Sequence, residues 1–394
     1  MARIAFFWEL GDGLGHLLPH VDLVSRLVQR GDDVTFVTKD VTRTRSVFSD
    51  PAIKVRPLKA GFTPQAARIR DADSFPEVLF NCGFNNADVI QGRVGDIIKT
   101  IEDVAPELLI CDYAPSVLLA NKVTRRPLIT TGNGFCMPVP VEPMPRFRYW
   151  HGTAPERLRA SEETVLGFIN DVLRRFDSRL LNSFSDLLRA DFEWLCTYEE
   201  LDFYTVRSEA RYFGLFPPMD FGEPPVWPSA SRPRIFAYLA PGRTTSLALE
   251  TMSALGAAVC LYAPSLREEE KNALDPARFH VAAAPLSLRL VAPQCDVFVN
   301  NGNHTTVAAG MLAGKAQLSL PRAAEQYLNA RRLELAGAGL AASQRNSGDI
   351  GAKLSALLSD PAYQRSAERF AEKYAGRYES DRTDIMLSEI DQVV

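Results

Sequence analysis

No two cysteines in this chain stand close enough to form a zinc knuckle or a redox pair. Cys82, Cys111, Cys136, Cys196, Cys260 and Cys295 are widely separated, with no CxxC among them. Several lie inside apolar runs such as LLICDY and AAVCLY, so they read as reduced, buried small hydrophobes rather than as a disulfide framework. Also missing is any run of about 18 apolar residues that could cross a bilayer. The apolar start MARIAFFW meets Glu9 and a glycine cluster instead of a cleavage site, so no signal peptide is expected and the default location is the cytoplasm. Clusters of one charge are absent as well. Lys plus Arg is 44 against 48 for Asp plus Glu, a formal balance of −4, with the basic residues scattered, which excludes an electrostatic nucleic-acid binder.

What is present is a chain of 394 residues with 46% hydrophobic residues, enough for two packed cores. Short β-branched and aromatic runs recur with room for a helix between them: RIAFFW, DVTFVT, ELLICDY, PLITTG, EWLCTYEE and RYFGLF. Such alternation predicts parallel βαβ units. After the first strand, Leu17, Val21, Val24 and Val28 recur at helical spacing, and Gly31 supplies the stop. The segment PPMDFGEPPVWPSASRP denies backbone donors to helix and sheet alike and predicts a linker over 217–233. The alternation restarts beyond it with RIFAYL, AAVCLYAP, FHVAAA, DVFVNNG and AQLSLP. The expected organisation is therefore domains over 1–216 and 234–375, and a helical tail from about Asn346 whose end, 376–394, returns to the first domain.

The first strand runs into WELGDGLGHLLPH, where Gly11, Gly13 and Gly15 make a turn that another molecule can approach closely. A dinucleotide fingerprint fails here. Its third glycine falls on His16, and the second strand ends in Thr38-Lys39, where a ribose-binding acid would be needed. His16 instead offers an imidazole at a strand-to-helix junction, suited to removing a proton near neutral pH, with helix capping as the plainer role. His20 follows at i+4, but Pro19 intervenes, no HExxH glutamate is present and no third ligand is identifiable, so no metal is expected.

Taken together, GLGHLLPHVDLVSRLVQRGDDVTFVT resembles the amino-terminal signature of the GT-B nucleotide-sugar glycosyltransferases, the UDP-glycosyltransferase or macrolide-glycosyltransferase-like group. The segment from APLSLRLVAPQCDVFVNNGNHTTVAAGMLAGKAQLSLP to RAAEQYLNARRLELAGAG is similar to that group's donor-binding signature, and RIFAYLAPG to its first donor-domain strand and loop. Residues of roughly 60–200 match poorly. The resemblance implies an α/β fold of two Rossmann-like parallel-sheet domains facing across a cleft. It implies His16 as general base with Asp112 as its partner, although Asp112 reads equally well locally as the cap of a helix starting near Ser116.

On the donor side the resemblance implies Gly13, Gly15, Gly242, Arg243, Thr244, Ala283, Pro285 and the run Asn301, Gly302, Asn303, His304, Thr305 and Thr306. A helix starting near Thr305-Thr306 would present N–H groups to a diphosphate. Glu325 and Gln326 would hold the sugar. The group's diphosphate-contacting histidine is replaced by Asn301 and a second glycine by Asn303, while Thr305 takes the place of a small residue. An amide at Asn301 can still donate to a phosphate. The implied activity is inverting, metal-independent transfer from a UDP- or dTDP-sugar to a hydroxyl of a small acceptor. No bound cofactor is implied beyond the nucleotide sugar as co-substrate. A catalytically idle nucleotide-sugar binder, or a nucleotide-sugar epimerase or hydrolase, fits the same fold.

Overall fold

Twelve short strands, most of them buried and rich in β-branched or aromatic residues, organise the chain into two sheets. The computed structural model describes all of residues 1–394 except 60–67, 205–206, 208–209, 216–220, 230–231, 343–348 and 377–381. The first sheet contains β1 (Arg3–Trp8), β2 (Asp33–Thr38), β3 (Lys54–Pro57), β4 (Leu108–Asp112), β5 (Leu128–Gly132) and β6 (Phe192–Leu195), in the order β3-β2-β1-β4-β5-β6. The second contains β7 (Arg234–Tyr238), β8 (Ala258–Tyr262), β9 (Phe279–Ala282), β10 (Val297–Asn300), β11 (Ala316–Ser319) and β12 (Gly339–Ala341), in the order β12-β11-β10-β7-β8-β9. All pairings are parallel. In each sheet the strand order reverses beside the first strand, so the loops after β1 and β4, and those after β7 and β10, leave from a topological switch point, where open α/β sheets bind ligands.

One compact unit gathers Met1–Thr197, Tyr204–Gly214 and Ser380–Val394; the other gathers Tyr198–Phe203 and Leu215–Glu379. In the first, Phe6, Trp8, Leu27, Phe36, Ile110 and Trp194 share a core with Met386 and Ile390. The last two residues come from the helix Arg382–Val393, which packs on the helix Val21–Arg30. Trp194 donates its indole N–H to Glu389 at 2.7 Å, and Arg382 donates to the Pro19 carbonyl at 2.9 Å. In the second unit, Tyr198 packs against Phe370 and Tyr374.

Several local expectations are corrected. RYFGLF forms no strand among its described residues; only Tyr212 makes an isolated bridge, to Leu195. β3 and β12 were not anticipated. The helix after β1 starts at Val21, preceded by tight turns over Leu14–His16 and Leu18–His20, because Pro19 lacks the N–H that a continuous helix would need. Gly31 ends it at φ 89°, in the left-handed region that glycine enters freely. The expected linker 217–233 lies partly outside the described residues, as do the first residues of the expected tail and of 376–394. Among the described residues no helix is long and apolar enough to cross a membrane.

Candidate functional site

β1 and β4 are neighbours, with Trp8 paired to Asp112 at their carboxyl ends. The loop after β1 turns through Gly11 (φ 75°) and Gly13 (φ 94°), and with Gly15 in the turn Leu14–His16 it brings His16 back over the sheet edge. There His16 Nδ1 lies 2.8 Å from Asp112 Oδ1. A carboxylate only accepts, so Nδ1 is the donor and a neutral ring keeps its lone pair on Nε2. The ring stacks on Trp8, centroids 5.4 Å apart, and lies near-parallel to Tyr113 at 6.4 Å. Asp112 is buried. Burial pushes its carboxyl up, but the charge and hydrogen bond of His16 and the hydrogen bond from His20 outweigh that, and it is held below the usual carboxylate range.

Asp112 does not cap the following helix, Pro115–Thr124. That place is taken by Glu9, which accepts from the Ser116 amide at 2.8 Å and from its hydroxyl at 2.5 Å, with Arg93 3.7 Å away. Burial raises the Glu9 carboxyl, partly offset by Ser116 and Arg93. Sequence reasoning missed Glu9, whose signal was a charge at the end of an otherwise apolar strand. Tyr113 follows Asp112 at φ 45°, a backbone region uncommon for a bulky residue and concentrated at functional sites. Beside it a recess opens, lined by Phe75, Tyr113, Pro115, Leu118, Cys136 and Met137. His16, Asp112 and Cys136 bring one ligand atom each to within 4.8 Å of one another, a grouping that does not include His20.

At the second switch point, Gly242 (φ 156°) opens the helix Arg243–Ala254, and the helix His304–Leu312 starts one residue before the expected Thr305. Both helices direct first-turn N–H groups out of the sheet edge. Thr244 is buried, and its hydroxyl has no hydrogen-bond partner among the described residues. Arg322, after β11, runs alongside: a Cβ on Gly242 would stand 3.8 Å from its Nε. This exposed guanidinium beside the helix start was not anticipated.

Asn301 departs from its expected place. It is 4% exposed, accepts from the Ala240 amide at 2.7 Å and donates to the Leu320 carbonyl at 2.9 Å, so its amide braces the loop after β7 and the end of β11. Gly302 is needed for close approach, since a Cβ there would meet the Gln326 carbonyl at 2.8 Å. Gln326 accepts from the amides of Arg322 and Ala323 and donates to Asn303 Oδ1 at 2.8 Å, which makes it a staple between the helix Ala324–Leu335 and the loop after β10. Glu325 is half-buried beside it. His304 is buried, which lowers its imidazole to about 4, so it brings no positive charge to the turn at neutral pH. Thr305 and Thr306 continue the first turn. Ala283 and Pro285 follow the edge strand β9, separated from β7 by β8, and the Pro285 carbonyl is taken by the Glu223 amide at 2.8 Å.

Comparison with known proteins adds three findings. A family model described as "Erythromycin biosynthesis protein CIII-like, C-terminal domain" matches residues 246–382. A PGL/p-HBAD biosynthesis glycosyltransferase of Mycobacterium tuberculosis is 26% identical over 315 residues, covering 74% of this chain and 72% of the relative. Among solved structures, the spinosyn rhamnosyltransferase SpnG aligns at TM-score 0.71 and 15% identity over 99% of this chain and 100% of that one. SpnG is also known complexed with spinosyn aglycone and with thymidine diphosphate. The calicheamicin glycosyltransferase CalG4 aligns at TM-score 0.72 and 15% identity, over 100% and 99% of the two chains.

Proposed function

Because the chain is a GT-B glycosyltransferase of the EryCIII-like, macrolide-glycosyltransferase group, we propose that it moves a sugar from a dTDP-sugar to a hydroxyl of an apolar small-molecule aglycone, with inversion and without a metal. The observation that carries this reading is the His16–Asp112 pair at the switch point of the first sheet. His16 Nε2 takes the proton of the acceptor hydroxyl as that oxygen bonds to the anomeric carbon. The bond from that carbon to the diphosphate breaks, and its electron pair leaves with the nucleotide. Asp112 keeps the ring in the tautomer with its lone pair on Nε2 and stabilises the imidazolium that forms.

The complex of SpnG with spinosyn aglycone supports a small-molecule aglycone as the acceptor. In the second unit, the helix starts at Arg243 and His304 at the switch point support a diphosphate cradle. Arg322 supplies the positive charge that Asn301 and the neutral His304 do not. The complex of SpnG with thymidine diphosphate supports dTDP as the nucleotide.

The test is product analysis by mass spectrometry after incubation with dTDP- and UDP-sugars and a panel of hydroxylated polyketide-like and phenolic acceptors. Transfer is expected from a dTDP-sugar. His16→Ala should abolish it while dTDP still raises the melting temperature by mass action. Near wild-type turnover by that variant sinks the mechanism.

A further inference from the structure

Asp112 is gripped by two imidazoles, of which only one is the proposed base. His16 Nδ1 stands 2.8 Å from Oδ1, and His20 Nε2 stands 3.4 Å from Oδ2. Since the carboxylate can only accept, the proton of His20 sits on Nε2. Its Nδ1 is buried with no hydrogen-bond partner among the described residues, which suits a bare lone pair, because buried orphan acceptors are tolerated better than buried orphan N–H donors. The His20 ring is 2% exposed and therefore beyond reach of any substrate.

Its place is built rather than incidental. The turn Leu18–His20 is fixed by Pro19, whose carbonyl accepts from Arg382 of the helix Arg382–Val393, and Phe6 of β1 packs on the His20 ring at 5.8 Å. The charged group that contacts the His20 ring is Asp112 from β4.

We propose that His20 is a positioning residue that acts through Asp112, an inference that rests on His16 being the base. By holding Oδ2 it fixes the plane of the carboxylate, so that Oδ1 meets His16 Nδ1 squarely. Loss of the His20 N–H would leave the carboxylate free to turn, and the base would be less well aimed.

The test is kcat and KM separately for His20→Phe and His20→Gln, with the melting temperature and dTDP binding measured alongside. The phenyl ring keeps the volume and removes the donor; the glutamine amide can reach the position of Nε2. In the Phe variant kcat should fall on the order of tenfold, with donor KM unchanged. Gln should restore most of the loss. If the Phe variant does not fold, His20→Asn, whose shorter amide does not reach Oδ2, takes its place. Wild-type kcat in the Phe or Asn variant overturns the inference, and so does a Gln variant as impaired as either. The two readings fail separately: an active His16→Ala variant removes the base itself, whereas a dead His16→Ala beside silent His20 variants removes only the role given to His20.

Discussion

A Cβ on Gly11 would stand 2.2 Å from His16 Nε2, with the ring carbon Cε1 at 2.8 Å. The glycine is therefore the residue that leaves room for the edge of the imidazole where the lone pair lies. Gly11→Ala must displace the ring and also strain a backbone at φ 75°. We expect kcat to fall on the order of a hundredfold, with the dTDP-induced rise in melting temperature retained. Steady-state kinetics beside thermal melts check this, and an alanine variant with intact kcat would show that His16 has a second workable position.

Asn301 ties the Ala240 amide to the Leu320 carbonyl, so its replacement is a matter of stability before affinity. Asn301→Ala leaves a buried donor and a buried acceptor unmatched and should cost about 2–4 kcal/mol in denaturant unfolding. Asn301→His should not tighten dTDP binding, because the position faces inward. Isothermal titration reads the second outcome, and a gain in affinity would place the residue at the phosphates after all.

His304 gives the fold a weakness to acid with a defined sign. Its imidazole is lowered to about 4 by burial, against an ordinary value of about 6.5 in the unfolded chain. Between those values the unfolded state binds the proton and the folded state does not. Stability should fall as pH drops from about 6.5 to 4, by up to about 3 kcal/mol. Urea unfolding of wild type and His304→Gln across that range checks it, and parallel pH dependences in the two proteins would disprove the assignment.

The cluster of His16, Asp112 and Cys136 predicts how metals act on turnover. EDTA should leave the rate unchanged, since no step proposed above uses a metal. Added zinc should slow it by taking the imidazole, carboxylate and thiolate together, a ligand set zinc accepts. Inhibition curves for wild type and Cys136→Ala provide the measurement: the variant should require more zinc for half-inhibition, and identical curves would mean that zinc acts elsewhere.

Much of the fold was legible because parallel strands buried on both faces announce themselves as short apolar runs, as RIAFFW and LLICDY do. β3 escaped notice because KVRP is a largely exposed edge strand, and β12 because it is only three residues long. Of the candidate site, His16 stood out by its place at a strand-to-helix junction, whereas Asp112 entered through the family resemblance, its local sequence reading equally well as a helix cap. Glu9, His20 and Arg322 were not, because each takes its role from a partner remote in sequence: Glu9 from Ser116, His20 from Asp112, Arg322 from the turn at Gly242. Asn301 and Gln326 misled for the same reason. Both carry groups that could serve a ligand, and only the distances reveal that the protein's own loops already use them.

The contact of Trp194 with Glu389 joins residues 195 positions apart. At about 5–20 residues per second, a ribosome needs roughly 10–40 s to travel between them. For that interval the nascent first unit holds its sheet with Trp194, Met386's future neighbours and the Pro19 turn still waiting for the helix that covers them. Its apolar edge is thus a surface that chaperones can hold during synthesis, and the geometry around His20 is completed only when Arg382 arrives.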